Sequence, residues 1–319
     1  MTSLAQVTAL VNAHVSRDHA RFRAITLQIA AHVSSRSERG ADQLRKLVDN
    51  QAMVLVPLPS ASGLLSTPSE LSTLDDMVLA PTVRDRLDRV VLEQSRRSDL
   101  LAQGLRPARK LLFTGAPGVG KTMAAGALSR AIGLPIFRVD LHGVISSHLG
   151  ETASKLAKVF EHVRSMPAVY LFDEFDALGA DRSSVSDGSS AGAEMRRVVN
   201  SLLQFIEDDR SDSLIVAATN HDQMLDSAIF RRFDEVVAFA SPTRDEVIDL
   251  VRRKLADIDA EQLDVSAIYS AVADPKLGHA DVCAALDGVR KDHVLMGTAI
   301  ETRSIVGAIV KRTRVEVLS

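Results

Sequence analysis

Residues Gly115-Ala116-Pro117-Gly118-Val119-Gly120-Lys121-Thr122 fit the spacing G-x-x-x-x-G-K-[ST], and each part of that pattern has a task at a phosphate. Glycines let the backbone curl so that successive amide N–H groups converge on phosphate oxygens. Lys121 would reach the β- and γ-phosphates of a nucleoside triphosphate, and the Thr122 hydroxyl would ligate Mg²⁺. The pattern directly follows an apolar strand, Lys110–Thr114, and opens a helical stretch, Met123–Ile132. The positive end of that helix adds to the field at the loop. A chance match would lack this strand–loop–helix setting.

A second chemical pattern lies further along. Val169-Tyr170-Leu171-Phe172-Asp173-Glu174 is an apolar strand that ends in two acids. Read alone, an acidic pair after a strand is an ordinary turn. Downstream of Lys121, at the carboxyl end of a parallel strand beside the phosphate loop, the pair has roles. Asp173 would hold Mg²⁺, directly or through water, and Glu174 would polarise an attacking water. Asp176, two residues on, reads as structural or as lying at a subunit border.

These residues need a frame to hold them. From about residue 71, short β-rich runs alternate with helical stretches: Lys110–Thr114, Pro135–Leu141, Ala168–Phe172, Ser213–Thr219 and Glu235–Ala240. Such alternation predicts βαβ units and a parallel sheet. After Ser241-Pro242 the strands stop, and Arg244–Ala256, Val265–Val272, Ala280–Val289 and Thr302–Lys311 read as helices. The Ser- and Gly-rich stretch Asp181–Gly192 reads as a mobile loop within this body. Ahead of it, apolar residues recur at helical spacing (Leu4, Val7, Leu10, Val11; Phe22, Ile25, Ile29, Val33; Leu44, Leu47, Val48), which predicts a small helical module over 1–56. Residues 57–70, rich in Pro and Ser, read as a linker. The expected division is thus 1–56, 57–70, an α/β domain over 71–240 and a helical lid over 241–319.

Composition narrows the function classes. With 46% hydrophobic and 25% charged residues among 319, the chain has the make-up of a soluble globular protein. A net charge of −3 argues against bulk nucleic acid as the main partner. The single cysteine, Cys283, excludes an internal disulfide and a multi-cysteine zinc site and fits a reducing, cytoplasmic setting. No apolar run reaches bilayer-spanning length; Met53–Leu58 and Leu214–Ala218 are strand-sized. The N-terminal arginines Arg17, Arg21, Arg23, Arg36 and Arg39 raise a transit peptide as an alternative, against which the helical periodicity stands.

Taken in order, these motifs resemble the AAA ATPases, in particular the subgroup of spastin, katanin and the ESCRT-disassembling ATPase, over roughly residues 71–295. Ala217-Ala218-Thr219-Asn220 is similar to the family's sensor-one motif, which implies that Asn220 orients the hydrolytic water. Asp226 through Asp234 looks like the second region of homology, which implies that Arg231 and Arg232 act as fingers in a neighbouring subunit's site. Glu194, Arg196 and Arg197 resemble a subunit-interface helix. On physical grounds alone an Arg-Arg pair is usually solvated surface, though guanidinium is also the group that best matches spreading phosphoryl charge. The resemblance implies a P-loop five-stranded parallel sheet flanked by helices, a helical lid, ATP and Mg²⁺ as ligands, and an ATP-dependent homo-oligomeric ring, expected to be a hexamer.

Three positions depart from the family pattern. The pore loop, which usually carries an aromatic residue, reads His148-Leu149-Gly150-Glu151. The adenine-contacting turn, Asp75-Asp76-Met77-Val78, lacks its usual glycine, leaving contact through backbone atoms and Met77 and placing Val78 beside it. The lid turn Lys276–Asp281 has no arginine, as in the named subgroup, while His279 stands there as either a ribose neighbour or a helix cap. Two functions follow as expectations. One is a ring-forming protein remodeller whose substrate is chosen by the N-terminal helices. The other is an ATP-dependent assembly switch that activates or recruits a partner enzyme, such as a protease or nuclease; the chain shows no motif of either kind of its own.

Overall fold

Five apolar runs become the parallel core of one sheet because residues buried on both faces suit a layer covered by helices on each side. In the computed structural model the sheet has six strands in the order β1-β3-β4-β5-β2-β6. They are β1 (Leu65–Ser66), β2 (Lys110–Thr114), β3 (Ile136–Val139), β4 (Val169–Phe172), β5 (Leu214–Thr219) and β6 (Glu235–Ala238). All neighbours run parallel except β1, which pairs antiparallel with β3 through Leu65 opposite Val139 and Ser66 opposite Arg138. Every residue of β2, β4 and β5 is buried. The structure describes residues 7–9, 25–26, 29, 63–68, 71–144, 151–175, 190–221, 223, 227–256, 263–272 and 277–315.

The five parallel strands lie where the alternation predicts them, Lys110–Thr114 with the expected bounds and the other four trimmed by one or two residues at one or both ends. The sixth is a correction. Leu65–Ser66 falls in the stretch read as linker, yet Leu65 is buried and Asp140 N donates to Leu64 O at 2.9 Å. A two-residue strand among Pro and Ser is too short for an alternating pattern, so only the open edge of β3 reveals it.

Helices follow the strands: α1 (Pro81–Ser95), α2 (Arg97–Ala102), α3 (Lys121–Ile132), α4 (Leu141–Val144), α5 (Glu151–Ser165), α6 (Ser190–Asp208), α7 (Ser227–Phe230), α8 (Arg244–Lys254), α9 (Val265–Val272), α10 (His279–Met296) and α11 (Thr302–Val315). Helix α6 starts at Ser190, so the last residues of the expected Asp181–Gly192 loop are helical, and residues 181–189 lie outside the described residues. Helix α10 runs past the expected Val289 to Met296, where Gly297 closes it in a left-handed cap with φ 67°. Helices α8 to α11 share a hydrophobic cluster of their own that includes Leu250, Leu255, Ile268, Leu286 and Ile309. Helix α8 is set by a capping box, in which Thr243 and Glu246 satisfy each other's backbone donors.

The chain divides into two compact units, Met1–Val56 with Gly133–Pro135, and Pro57–Ile132 with Ile136–Ser319. In the first, residues 7–9, 25–26 and 29 are helical. The second contains the sheet, the helices above and the site described next.

Candidate nucleotide site

The turn from β2 into α3 can be built only with glycine at its first position. Gly115 has φ 140°, and a Cβ placed on it would lie 2.0 Å from the carbonyl oxygen of Phe239. The loop therefore runs directly over the end of β6, and Phe239 N donates to Thr114 O at 2.7 Å to hold the two together. Lys121, the first residue of α3, is buried, and its Nζ donates to Gly115 O (2.6 Å), Ala116 O (2.7 Å) and Asn220 Oδ1 (2.8 Å). These acceptors are neutral, and a phosphate oxygen is the stronger partner for an ammonium. Lys121 and Asn220, 99 positions apart, are brought together because β2 and β5 are neighbours in the sheet.

The two acids sit one strand further on. Thr122 Oγ1 donates to Asp173 Oδ2 at 2.9 Å. Glu174 has φ 55°, the only positive φ at a non-glycine among the described residues, a conformation that costs roughly 1–2 kcal/mol. Its amide donates to Asp173 Oδ1 at 3.0 Å, and its Oε2 meets His142 Nε2 at 3.1 Å. Arg138 lies 3.4 Å from Asp173 Oδ2. The register explains this pairing: Arg138 stands opposite Leu171, so Asp173 is two residues along the same face of β4.

The other end of the cleft is built from helices and a turn. Thr73 and Asp76 form a capping box around a 3₁₀ turn, Leu74–Asp76, with both Thr73 N and Thr73 Oγ1 2.7 Å from Asp76 Oδ2. Hydrogen bonds from the Thr73 side chain and backbone hold the Asp76 carboxyl below its ordinary pKa. Met77 is buried against the phosphate loop, its Cε 3.3 Å from where a Gly120 Cβ would stand, and Val78 packs on the helical cluster of α8 to α11. Helix α10 comes down on the loop from above. Ala280 N donates to Gly118 O at 2.9 Å, and a Cβ on Gly278 would lie 2.6 Å from Gly118 C.

Between these walls lies a cleft of about 800 Å³, lined by Asp76, Met77, Val78, Pro117–Met123, Asp173, Glu174 and Asn220, and on the lid side by Leu250, Arg253, Lys254, His279, Ala280 and Cys283. Its size suits a small-molecule ligand. The glycine cradle, the buried lysine and the adjoining helix N-terminus fit a polyphosphate. Thr122 and Asp173 offer two hard oxygen donors side by side, the donor set that Mg²⁺ takes when phosphates complete its shell. No group of three His, Cys, Asp or Glu side chains able to hold a metal occurs among the described residues.

Of the residues singled out from sequence, the cleft unites Met77, Val78, the phosphate loop from Pro117, Asp173, Glu174 and Asn220, with Gly115 and Ala116 reached through Lys121. It does not include Arg231 or Arg232. They follow α7; Arg231 is exposed, and Arg232 pairs with Glu207 at 2.9 Å. Asp234, just beyond, accepts from the amides of Arg109 and Lys110 at 2.8 and 2.9 Å, which fixes where the arginine turn meets β2. His279 opens α10 with its ring largely buried, 3.5 Å from Glu246 Oε2. His148, Asp176, Asp226 and Lys276 lie outside the described residues, as do the side chains of Glu194, Arg196 and Arg197 on α6. Sequence reasoning missed Arg138, His142 and Arg253. Strand register could have found the first, since an exposed arginine in an otherwise buried strand stands out.

A glycine-rich strand-to-helix turn with a buried lysine, set against an acidic strand end in a mostly parallel sheet, defines a P-loop nucleotide-binding protein. The family described as ATPase family associated with various cellular activities (AAA) matches residues 111–241. An uncharacterised AAA family ATPase, y4kL, from Sinorhizobium fredii is 41% identical over 235 residues, covering 69% of this chain and 69% of that protein. The chain belongs to the AAA family of ATPases, and it is an ATP hydrolase.

Other relatives match over shorter stretches. The peroxisomal ATPase PEX6 of Candida glabrata is 30% identical over 56% of this chain and 18% of its own length. A putative 26S proteasome regulatory subunit homologue from Methanothermobacter marburgensis is 33% identical over 43% of this chain and 37% of its own. The chain thus spans well under half the length of these two. The crystal structure of the FIGL-1 AAA domain has the same fold, with a TM-score of 0.57 at 21% identity, over 78% of this chain and 85% of that one. Among the described residues no helix is long and apolar enough to cross a membrane.

Proposed function

We propose that the protein is a cytoplasmic, ring-forming AAA ATPase whose ATP cycle drives remodelling of a protein partner. The observation that carries this reading is the separation of Arg231 and Arg232 from the cleft, with Arg231 exposed on the surface. An exposed guanidinium kept out of its own chain's site, as that of Arg231 is, is available to a neighbour's, with Arg232 following once it leaves Glu207, and closure of such head-to-tail contacts gives a ring, here a hexamer. The division into an N-terminal module over 1–56, a connecting segment, an α/β domain over 71–240 and a lid over 241–319 belongs to the same proposal. The first of these would choose the partner.

In this mechanism the phosphate-loop amides and Lys121 bind and orient the triphosphate. Thr122 and Asp173 would hold Mg²⁺, which would supply charge that offsets the phosphate oxygens. Glu174 polarises the attacking water, and it must exchange its His142 contact to do so. Asn220, tied to Lys121, orients that water relative to the phosphate end. Arg231 and Arg232 stabilise the departing charge in the adjacent subunit, a role worth roughly 10³–10⁵ in rate.

The test mixes Lys121→Ala subunits, which keep their arginines, with Arg231→Ala/Arg232→Ala subunits, which keep their phosphate loops. Neither should hydrolyse ATP alone, and the mixture should regain activity. Absence of recovery in verified mixed oligomers would remove the shared site and the ring mechanism with it.

A second reading is favoured by His148 at the pore position, where an aromatic would grip a threaded chain with more apolar area. There the ring is an assembly switch for a partner enzyme, a role in keeping with a relative named as a proteasome regulatory subunit homologue. His148→Ala separates the two. Loss of partner remodelling with ATP hydrolysis intact supports threading. Indifference at His148, with loss on deletion of residues 1–56, supports the switch.

A further inference from the structure

The lid turn at residues 276–281 carries no arginine, yet a lid arginine reaches the cleft from elsewhere. Arg253, on the last turn of α8, lines the cleft together with Leu250, Lys254 and Cys283. Its Nη1 donates to the carbonyl of Asp75, so it spans from the lid helix to the 3₁₀ turn that leads into Met77 and Val78. That places it beside the 3₁₀ turn at the cleft wall formed by Asp76, Met77 and Val78. The neighbouring charges are already engaged. Lys254 pairs with Asp287 at 3.0 Å, Asp75 with Arg84 at 2.9 Å, and Asp76 is locked in its capping box with Thr73. Arg253 is exposed, donates to that backbone oxygen and adds to the field that lowers the Asp76 pKa, and its planar fork has further N–H groups that can face what occupies the cleft.

A nucleotide bound with its phosphates on the loop directs its nucleoside toward this end. Guanidinium is suited to such a neighbour, because it can lie against the π-face of a base and can donate to ring nitrogens or ribose oxygens. We propose that Arg253 is the side chain through which the lid binds the nucleoside half of the nucleotide, which makes the lid sensitive to the nucleoside and not only to the phosphates. This rests on the cleft being the ATP site, and extends that reading to a residue outside its motifs.

Isothermal titration of ATP, ADP and inorganic tripolyphosphate into the full-length protein and its variants tests it. Arg253→Ala should weaken ATP and ADP by a similar factor, about tenfold, while tripolyphosphate affinity stays within about twofold. Arg253→Lys, which retains the charge but not the planar fork, should recover part of the loss. Lys121→Ala should weaken all three ligands. Unchanged ATP and ADP affinity in Arg253→Ala would overturn the proposal. An equal loss for tripolyphosphate would also overturn it, by showing that Arg253 only shapes the lid. If the unaltered protein bound neither ATP nor tripolyphosphate, or if Lys121→Ala left all three affinities intact, the assignment of the cleft would fall, and this proposal with it.

Discussion

The phosphate-loop end of the cleft and its lid end, the proposed nucleoside end, are held by different means. At the phosphate end, polar side chains at the ends of adjoining strands and the starts of the helices that follow them bond one another: Lys121 with Asn220, Thr122 with Asp173, Arg138 with Asp173, Glu174 with His142. Their spacing is set by the sheet, whose ladder fixes neighbouring strands about 4.8 Å apart. At the lid end, a 3₁₀ turn meets helix α8 through an arginine on a carbonyl, and the start of helix α10 makes a close backbone approach to the phosphate loop, Gly278 against Gly118. The first end is framed by the strands of the sheet. The second is an interface, and interfaces between packed elements are where closing motions occur.

The contrast predicts its largest effects at the phosphate end, in turnover. Glu174→Gln keeps the shape of the side chain and removes its capacity as a base, so ATP hydrolysis should fall by about 10²–10⁴ with ATP affinity nearly unchanged. Lys121→Ala should instead cost affinity, about a hundredfold, through loss of its charged contact with phosphate. Steady-state hydrolysis and equilibrium binding separate the two. Turnover of Glu174→Gln within threefold of the unaltered protein would remove Glu174 from its catalytic role and with it the sharpest feature of this end.

The same contrast explains what could be read from the chain. Gly115 to Thr122 is a local motif, and its strand and helix are its immediate neighbours, so spacing alone predicts the turn. Asp173-Glu174 and Asn220 each end an apolar strand, and a parallel sheet gathers such ends on one side. The nucleoside end has no such local signature. The resemblance places Met77 and Val78 there, but Leu250, Arg253 and Cys283 come from two separate helices, and the arginines of α8 look like the solvated face of an amphipathic helix: Arg252 and Arg253 are both exposed, and Arg252 lies 3.9 Å from Asp249. Only tertiary packing distinguishes Arg253 from its neighbour. Likewise β1 escaped the pattern because edge pairing, not composition, makes Leu65–Ser66 a strand.

A substitution at the junction sharpens the comparison at a smaller scale. Gly278 has an ordinary φ of −98°, so alanine there meets no backbone strain. The obstacle is space, since a Cβ would stand 2.6 to 2.7 Å from backbone atoms of Gly118 and Pro117. Neither partner is the flexible end of a side chain, so the lid must move off the loop, at about 1–3 kcal/mol. Gly278→Ala should therefore lower ATP affinity by about tenfold while the fold persists, as read by circular dichroism beside the titration. If affinity were retained, the lid would not need its close approach, and the two ends would be less coupled than the geometry implies.

The smallest effect needs no substitution. Cys283 is the only cysteine in the chain, and it lines the nucleoside end of the cleft from α10. Burial pushes its thiol above the ordinary pKa, with Asp287 adding to the rise and Lys254 opposing it. Thiolate is the reactive form, so alkylation should be slow at neutral pH and should keep climbing with pH past the range where an exposed thiol levels off. A nucleotide that fills the nucleoside end covers the sulfur, whereas tripolyphosphate fills only the loop. Saturating ATP or ADP should thus slow labelling by about fivefold or more, and saturating tripolyphosphate should leave the rate within about twofold. Intact-mass spectrometry over time measures each rate on the unaltered protein. Equal protection by tripolyphosphate would mean that phosphates alone close the lid over Cys283, and the division into a chemical end and a sensing end would give way to a single closing motion governed by the loop.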